Sequence, residues 1–340
     1  MTNVLPHFKR YWNEFISLKE PIMNKSCVIL SMLSFFCLAQ VNGVAAQDDI
    51  APVWNDDGSY IYFYSYRGKT PETAYDVPAQ SYRMKADGSD QTQITDSAHR
   101  NWWVLPFHHG RLIVVSDREA LEPFGGANIY PHNPRDESYE PIADIDPKKG
   151  RWALHMSKSD DNASLLYLVP ESSFRDKKAE LFKYDFSKKE SVQLLKEFDL
   201  ISSPFLSGNG KKIAFVSNHK IYTSDENGHN VREVLAMKRE EKSSFYGLSV
   251  SSDGKRLAFS FAKDGIKSAE LYTVNADGTH LQQLTDNSFR DTNPNWSPDN
   301  MKIAFNSVRN NSLNHNDVYV IAANGGIETN LTKTSIVDEE

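Results

Sequence analysis

Apolar and polar residues alternate in short bursts along most of this chain. Tyr60-Ile61-Tyr62-Phe63-Tyr64, Leu112-Ile113-Val114-Val115, Lys212-Ile213-Ala214-Phe215-Val216 and Arg256-Leu257-Ala258-Phe259-Ser260 are brief, β-branched or aromatic, and bounded by Gly, Asp or Asn. Runs of this length and makeup predict strands, and the bounding Asp-Gly and Asn-Gly pairs supply the positive φ of tight hairpins. One such turn recurs at Asp57-Gly58, His109-Gly110, Asp161-Asn162, Asn209-Gly210, Asp253-Gly254 and Asp299-Asn300, at intervals of 52, 52, 48, 44 and 46 residues. Each repeat holds four strands: A ends in a Pro-x-Trp phrase, B is the Ile-Ala-Phe run, C the Leu-Tyr-x-Val run and D the x-Leu-Thr run. Self-similarity at this period, in units of four short strands, predicts an all-β fold: a six-bladed β-propeller of four-stranded antiparallel blades.

The repeated phrase is specific enough to compare. Pro294-x-Trp296-Ser297-Pro298-Asp299, followed by Ile303-Ala304-Phe305, Val318-Tyr319-Val320 and Asn330-Leu331-Thr332, resembles the WD40-like (PD40) repeat of the TolB-like propeller family. The likeness is strong in units one, five and six, fair in unit four, weak in two and three, and covers roughly residues 50 to 334. It implies an exported propeller without the α/β domain that precedes the propeller in TolB proteins. Contacts of those proteins with inner-membrane partners are therefore not carried over.

Chain direction sorts the loops. With A innermost, the A–B and C–D turns share one face, and the B–C loops share the other with the D–A links. The second set varies in length: Tyr66 to Gln80, Asp117 to Asn128, Pro170 to Lys178 and Ser307 to Asn316 are elaborated. Variable loops on a rigid scaffold are where recognition sits, so the ligand-binding candidates are His99, Arg100, Trp103, Arg151, Arg290 and Asp291, expected around one channel mouth. Rings with guanidinium forks suit a protein or a glycan. Trp54, Trp102, Trp152 and Trp296 are read as one repeat position packed between blades, with Trp103 outside that register.

No Gly-x-Ser-x-Gly elbow, His-Glu-x-x-His, paired-cysteine site or phosphate loop occurs in the sequence, so no catalytic residue is assigned, no cofactor is expected and no metal site is named. His99, His108, His109, His132 and His155 all fall in units two and three. They leave open a second reading: a polysaccharide lyase or glycosidase working at the channel mouth, with a divalent cation, resembling oligogalacturonate lyase.

The first 46 residues read differently from the rest. An apolar run of 15 residues, Cys27 to Val41, precedes Val44-Ala45-Ala46, a small-x-small cleavage pattern, as in a signal peptide. Met23-Asn24-Lys25 makes a compact positive start, so Met23 is the expected initiator. Both cysteines, Cys27 and Cys37, lie in this segment. Residues 47–334 are then the propeller, residues 335–340 a tail, and the compartment periplasmic or secreted with no stable membrane insertion. The whole chain carries a net charge of −7, which makes nucleic acid a poor partner. An envelope protein or glycan is the expected one.

Overall fold

The computed structural model describes residues 48–67, 78–95, 98–121, 126–133, 138–139, 141–142, 145–149, 151–171, 178–238, 240–309 and 315–333. Residues 1–47, where a leader is expected, residues 334–340, where a tail is expected, and residues 68–77 of the first long loop lie outside them. Six four-stranded sheets are present, each a meander in chain order with every pair antiparallel. Each blade is drawn from one continuous stretch of chain, so among the described residues no strand is exchanged between blades. The A strands are Asp49–Trp54, Asn101–Pro106, Leu154–Lys158, Ser202–Leu206, Ser244–Val250 and Arg290–Trp296. Each neighbours the next in order and the sixth meets the first, which closes the ring around an axis.

The six turn positions inferred from spacing all adopt the left-handed backbone: φ is 74° at Gly58, 76° at Gly110, 57° at Asn162, 69° at Gly210, 72° at Gly254 and 60° at Asn300. In five of these turns, all but that of blade two, an Asp or Asn two residues after the start of the turn ties it down. Ser297 Oγ donates to Asp299 Oδ1 (2.5 Å), and the amide of Met301 donates to the same oxygen at 2.9 Å. The carboxylates of Asp57, Asp161 and Asp299 are held below the usual range, chiefly by the Ser hydroxyls that donate to them. Their first task is local.

The core lies between blades. B-strand residues such as Phe63, Phe215, Phe259 and Phe305 are fully enclosed. Trp54 packs with Ala304, Val318, Val320 and Leu331 of blade six, whereas Trp296 packs with Ala258 and Leu271 of blade five. Trp54, not Trp296, is thus the aromatic residue at the closing seam. Trp54 and Trp296 do share a register position, but Trp102 and Trp152 do not: they precede the bulge of their strands, so the single Trp position read from the sequence is corrected.

Polar bonds close the ring as well as apolar packing. The Trp54 amide donates to Asn295 Oδ1 (3.1 Å), repeating at the seam what Leu206 and Ser157 do between blades four and three (2.9 Å). Asn306, fully buried, accepts from the Ala51 amide (2.9 Å) and donates to the Asp49 carbonyl (2.6 Å). Asn316 donates twice to Asp48 Oδ1, at 3.0 Å each, and Arg67 pairs with buried Asp49 at 2.7 Å.

Candidate binding mouth

Every A strand carries a bulge at the same register position. Ala51, Trp103, His155, Ser203, Gly247 and Asn293 have φ of 54, 35, 51, 48, 111 and 54°, and pairing to strand B slips there in all six blades. A bulge bends the strand and re-aims a side chain. For non-glycine residues the conformation costs on the order of 1 kcal/mol each, which the closed ring must hold in place. At Gly247 a glycine is required, because a Cβ there would stand 2.9 Å from Asn293 Cα of the next blade.

Two of the six bulge side chains are large, and they touch: the Trp103 and His155 rings have centroids 5.4 Å apart. Trp103 also leans on Tyr64 (6.4 Å), and Tyr64 meets Tyr66 edge-on (6.0 Å). Tyr66 Oη accepts a bond from Trp102 Nε1 (3.3 Å), and Trp102 packs on Trp152 (5.7 Å). These rings form a continuous aromatic wall across blades one to three. Tyr64, Trp102 and Trp152 are its buried backing, while Tyr66, Trp103 and His155 are partly exposed. Burial pushes the Tyr66 hydroxyl up to about 12 and the His155 imidazole down to about 4. Although His155 keeps some surface, the strands around it strip its ring of water, so the wall is uncharged at neutral pH.

The remaining candidates are distributed around this wall. Arg100 flanks it, its amide bonded to Asp117 Oδ1 (2.9 Å) and its Nη1 3.2 Å from Oδ2. That pairing joins a D–A link to a B–C loop, as Arg67 with Asp49 joins a B–C loop to the start of an A strand, so both sets of segments share one end of the ring. His99 is partly exposed on the same link, and its carbonyl accepts from Gln80 Nε2 (2.8 Å) and Asn101 Nδ2 (3.1 Å). Arg151 is half-buried before the A strand of blade three, and its Nε has no acceptor among the described residues. Arg290 and Asp291 lie in blade six, next to blade one across the seam, and are buried. Arg290 is 8% exposed and donates to Asn316 Oδ1 (3.1 Å). Asp291 is fully buried, accepting from Ser307 Oγ (2.6 Å) and Asn287 Nδ2 (3.0 Å), and burial raises its pKa. The structure therefore groups Trp103 and Arg100 with Tyr64, Tyr66, Trp102 and His155. Of these, Tyr66 opens the long loop already expected to carry recognition, and His155 is the accessible member not named among the binding candidates. The signal for His155 was there, since it lies one repeat of 52 residues beyond Trp103.

The five histidines do not share a site. His108 and His109 sit in the A–B turn at the opposite end of blade two, with His108 against Phe107 (4.8 Å). His132, on strand C, stacks on Tyr139 (4.2 Å), and His155 belongs to the aromatic wall. Among the described residues no three His, Cys, Asp or Glu side chains come together in a way that could hold a metal ion.

Toward the A–B turns the channel narrows. Lys158 Nζ of blade three reaches Asp56 Oδ1 of blade one (2.7 Å), and Ser252 Oγ of blade five reaches Asp160 Oδ2 (2.5 Å). The space left beside these groups, walled by Leu105, Met156, Phe205 and Val250, is about 70 Å³. That is room for a few waters and not for a sugar ring.

Six four-stranded antiparallel blades around a channel, each with a left-handed Gly or Asn in its first hairpin, define a six-bladed propeller of the TolB type. A family model described as the TolB beta propeller domain (PD40) matches residues 157–339, and the chain belongs to that family. It is 30% identical over 133 residues to a "Protein TolB homolog" of Chlorobium chlorochromatii (strain CaD3), a match covering 38% of this chain and 29% of that protein. The chain thus spans under a third of the curated relative it matches. Among solved structures it is similar to a putative TolB from Agrobacterium tumefaciens (TM-score 0.57, 16% identity, covering 81% of this chain and 90% of that one). It is similar also to an oligogalacturonate lyase in complex with manganese (TM-score 0.55, 15% identity, 84% and 77% covered). At such identities these likenesses concern the fold alone. No helix among the described residues is long and apolar enough to cross a membrane.

Proposed function

We propose that this chain is an exported binding module of the cell envelope, without chemistry of its own, that takes a protein or glycan at the mouth formed by the B–C loops and D–A links. The observation that carries the reading is the uncharged aromatic wall, in which Trp103 and His155 project from the bulge ring in contact with each other. Flat rings with a polar tip cover an apolar sugar face or a peptide side chain and leave hydrogen bonding to the rim. Arg100 supplies a cation on that rim, already oriented by Asp117. Arg290 and Asp291 support the mouth from within blade six. The chain's match to the TolB homologue favours an envelope protein as partner; the stacked rings favour a glycan equally well.

The test is a binding panel of peptidoglycan fragments, uronic-acid oligomers and envelope extract, run against the wild type, Trp103→Ala and Tyr66→Ala. A ligand retained by the wild type and weakened about tenfold or more by Trp103→Ala supports the reading. Ligands held equally by all three proteins would contradict it. Release of unsaturated products absorbing in the near ultraviolet from uronic-acid polymers would instead establish the lyase reading.

A further inference from the structure

The two tryptophans that share a register position are treated differently by the blades that face them. At the junction of blades five and six, Arg256 lays its guanidinium over the Trp296 ring, 4.5 Å from the centroid, and its Nη2 donates to the Asn300 carbonyl at 2.7 Å. This is an internal guanidinium slot: a ring, a turn carbonyl, and an arginine supplied by the preceding blade.

The seam between blades six and one repeats the slot without its arginine. Trp54 stands where Trp296 does, and Gly58 stands where Asn300 does. The residue in the place of Arg256 is Lys302, which is exposed and whose Nζ makes no hydrogen bond or ion pair among the described residues. What remains is a groove of about 340 Å³ lined by Trp54, Asp56, Asp57, Gly58, Pro298, Asp299 and Lys302 among others. The Gly58 carbonyl accepts no hydrogen bond among the described residues, unlike its counterpart at Asn300. Asp57 and Asp299 each use one oxygen, Oδ1, for their turns and leave Oδ2 without a donor among the described residues. The buried indole N–H of Trp54 lacks an acceptor among the described residues, as does that of Trp296 in the filled slot.

We propose that this seam groove, on the face opposite the aromatic mouth, receives an arginine side chain from a protein partner. The guanidinium would donate to the Gly58 carbonyl and to the outer oxygens of Asp57 and Asp299, in the place Arg256 fills one blade earlier. Planar forked donors match carboxylates in a way an ammonium does not. Trp54 is only 6% exposed, so the carboxylates and the carbonyl carry most of the recognition and the ring lends a smaller cation–π share. A main-chain carbonyl beside that arginine would suit the unpaired indole N–H. Lys302, whose Nζ makes no hydrogen bond or ion pair among the described residues and acts on Asp299 only through its charge, can swing aside.

The experiment titrates the whole chain with N-acetyl-Gly-Arg-Gly-amide and follows the Trp54 indole N–H by NMR, with the Lys and Leu versions of the peptide in parallel. The expected result is a saturable shift for the Arg peptide, about fivefold tighter than for Lys, and none for Leu. Lys302→Arg, which retains charge and supplies its own guanidinium, should abolish the response and leave the protein folded. Asp57→Asn with Asp299→Asn, which keeps both Oδ1 acceptors, should weaken it at least fivefold. Equal responses to Arg and Lys, the same shift produced by calcium chloride alone, or undiminished binding by Lys302→Arg would each overturn the proposal.

Discussion

Asn306→Ala tests whether hydrogen bonds, and not apolar packing alone, close this ring. The side chain is fully enclosed. Its Oδ1 accepts from the Ala51 amide (2.9 Å) and from Asn293 Nδ2 (3.1 Å), and its Nδ2 donates to the Asp49 carbonyl (2.6 Å). Alanine would leave the Ala51 N–H and the Asp49 C=O unpaired inside the seam, at about 1–3 kcal/mol each. Some relaxation and water entry bring the sum to roughly 2–4 kcal/mol. A ring of this size has an unfolding entropy near 0.6 kcal/mol/K, so Tm should fall by about 3–7 °C. Thermal unfolding by circular dichroism measures it, with Met301→Ala, a 65% exposed position, as a control expected within about 0.5 kcal/mol of wild type. Limited proteolysis should also cut Asn306→Ala sooner. A Tm within a degree of wild type would refute the argument, and the seam would then rest on the Trp54 cluster.

Other outcomes follow from the same geometry. Trp54→Ala and Trp296→Ala should each cost about 3–5 kcal/mol in denaturant titration, but only Trp54→Ala should raise hydrogen exchange at both chain ends of the ring, since it alone packs across the seam. Gly247→Ala should destabilise through its close approach to Asn293, by about 1–3 kcal/mol, and an unchanged midpoint would count against the bulge register. His155 has a folded pKa of about 4 against an ordinary 6.5, so the unfolded chain binds the proton more readily between those values. Its contribution is intact above about pH 6.5 and is lost as pH falls toward 4, on the order of 2–3 kcal/mol in all. His155→Gln should flatten that part of the Tm–pH curve, and parallel curves for the two proteins would refute the sign.

The blade count was legible because each unit needs one left-handed turn residue, and Gly58, Gly110, Asn162, Gly210, Gly254 and Asn300 announce it chemically. The strands were legible because their B runs are apolar and short. The bulge ring was not, since its positions hold Ala51, Trp103, His155, Ser203, Gly247 and Asn293. Only the glycine and the asparagine among these favour positive φ, and ring closure imposes it on the others. The tryptophan register failed for a related reason. Trp102 and Trp152 precede the bulge while Trp54 and Trp296 follow it, and counting from one tryptophan to the next cannot see a kink between them. Among the candidate contacts, Trp103 stacks with His155 and Arg100 pairs with Asp117 beside it; that these form a binding mouth is our proposal. Arg290 and Asp291 sit at the same height, but a buried serine, two asparagines and the loss of solvent draw them inward. A one-dimensional pattern gives height along a strand and leaves the direction of the side chain to packing.

The most direct measurement of the central claim, that the aromatic mouth is the working face, is hydrogen exchange by mass spectrometry on the wild-type chain with a retained ligand. The account predicts protection in residues 98–105 and 151–158, around Trp103 and His155. Protection confined to the A–B turns near residues 55–59 and 297–301, with the mouth unchanged, would contradict it.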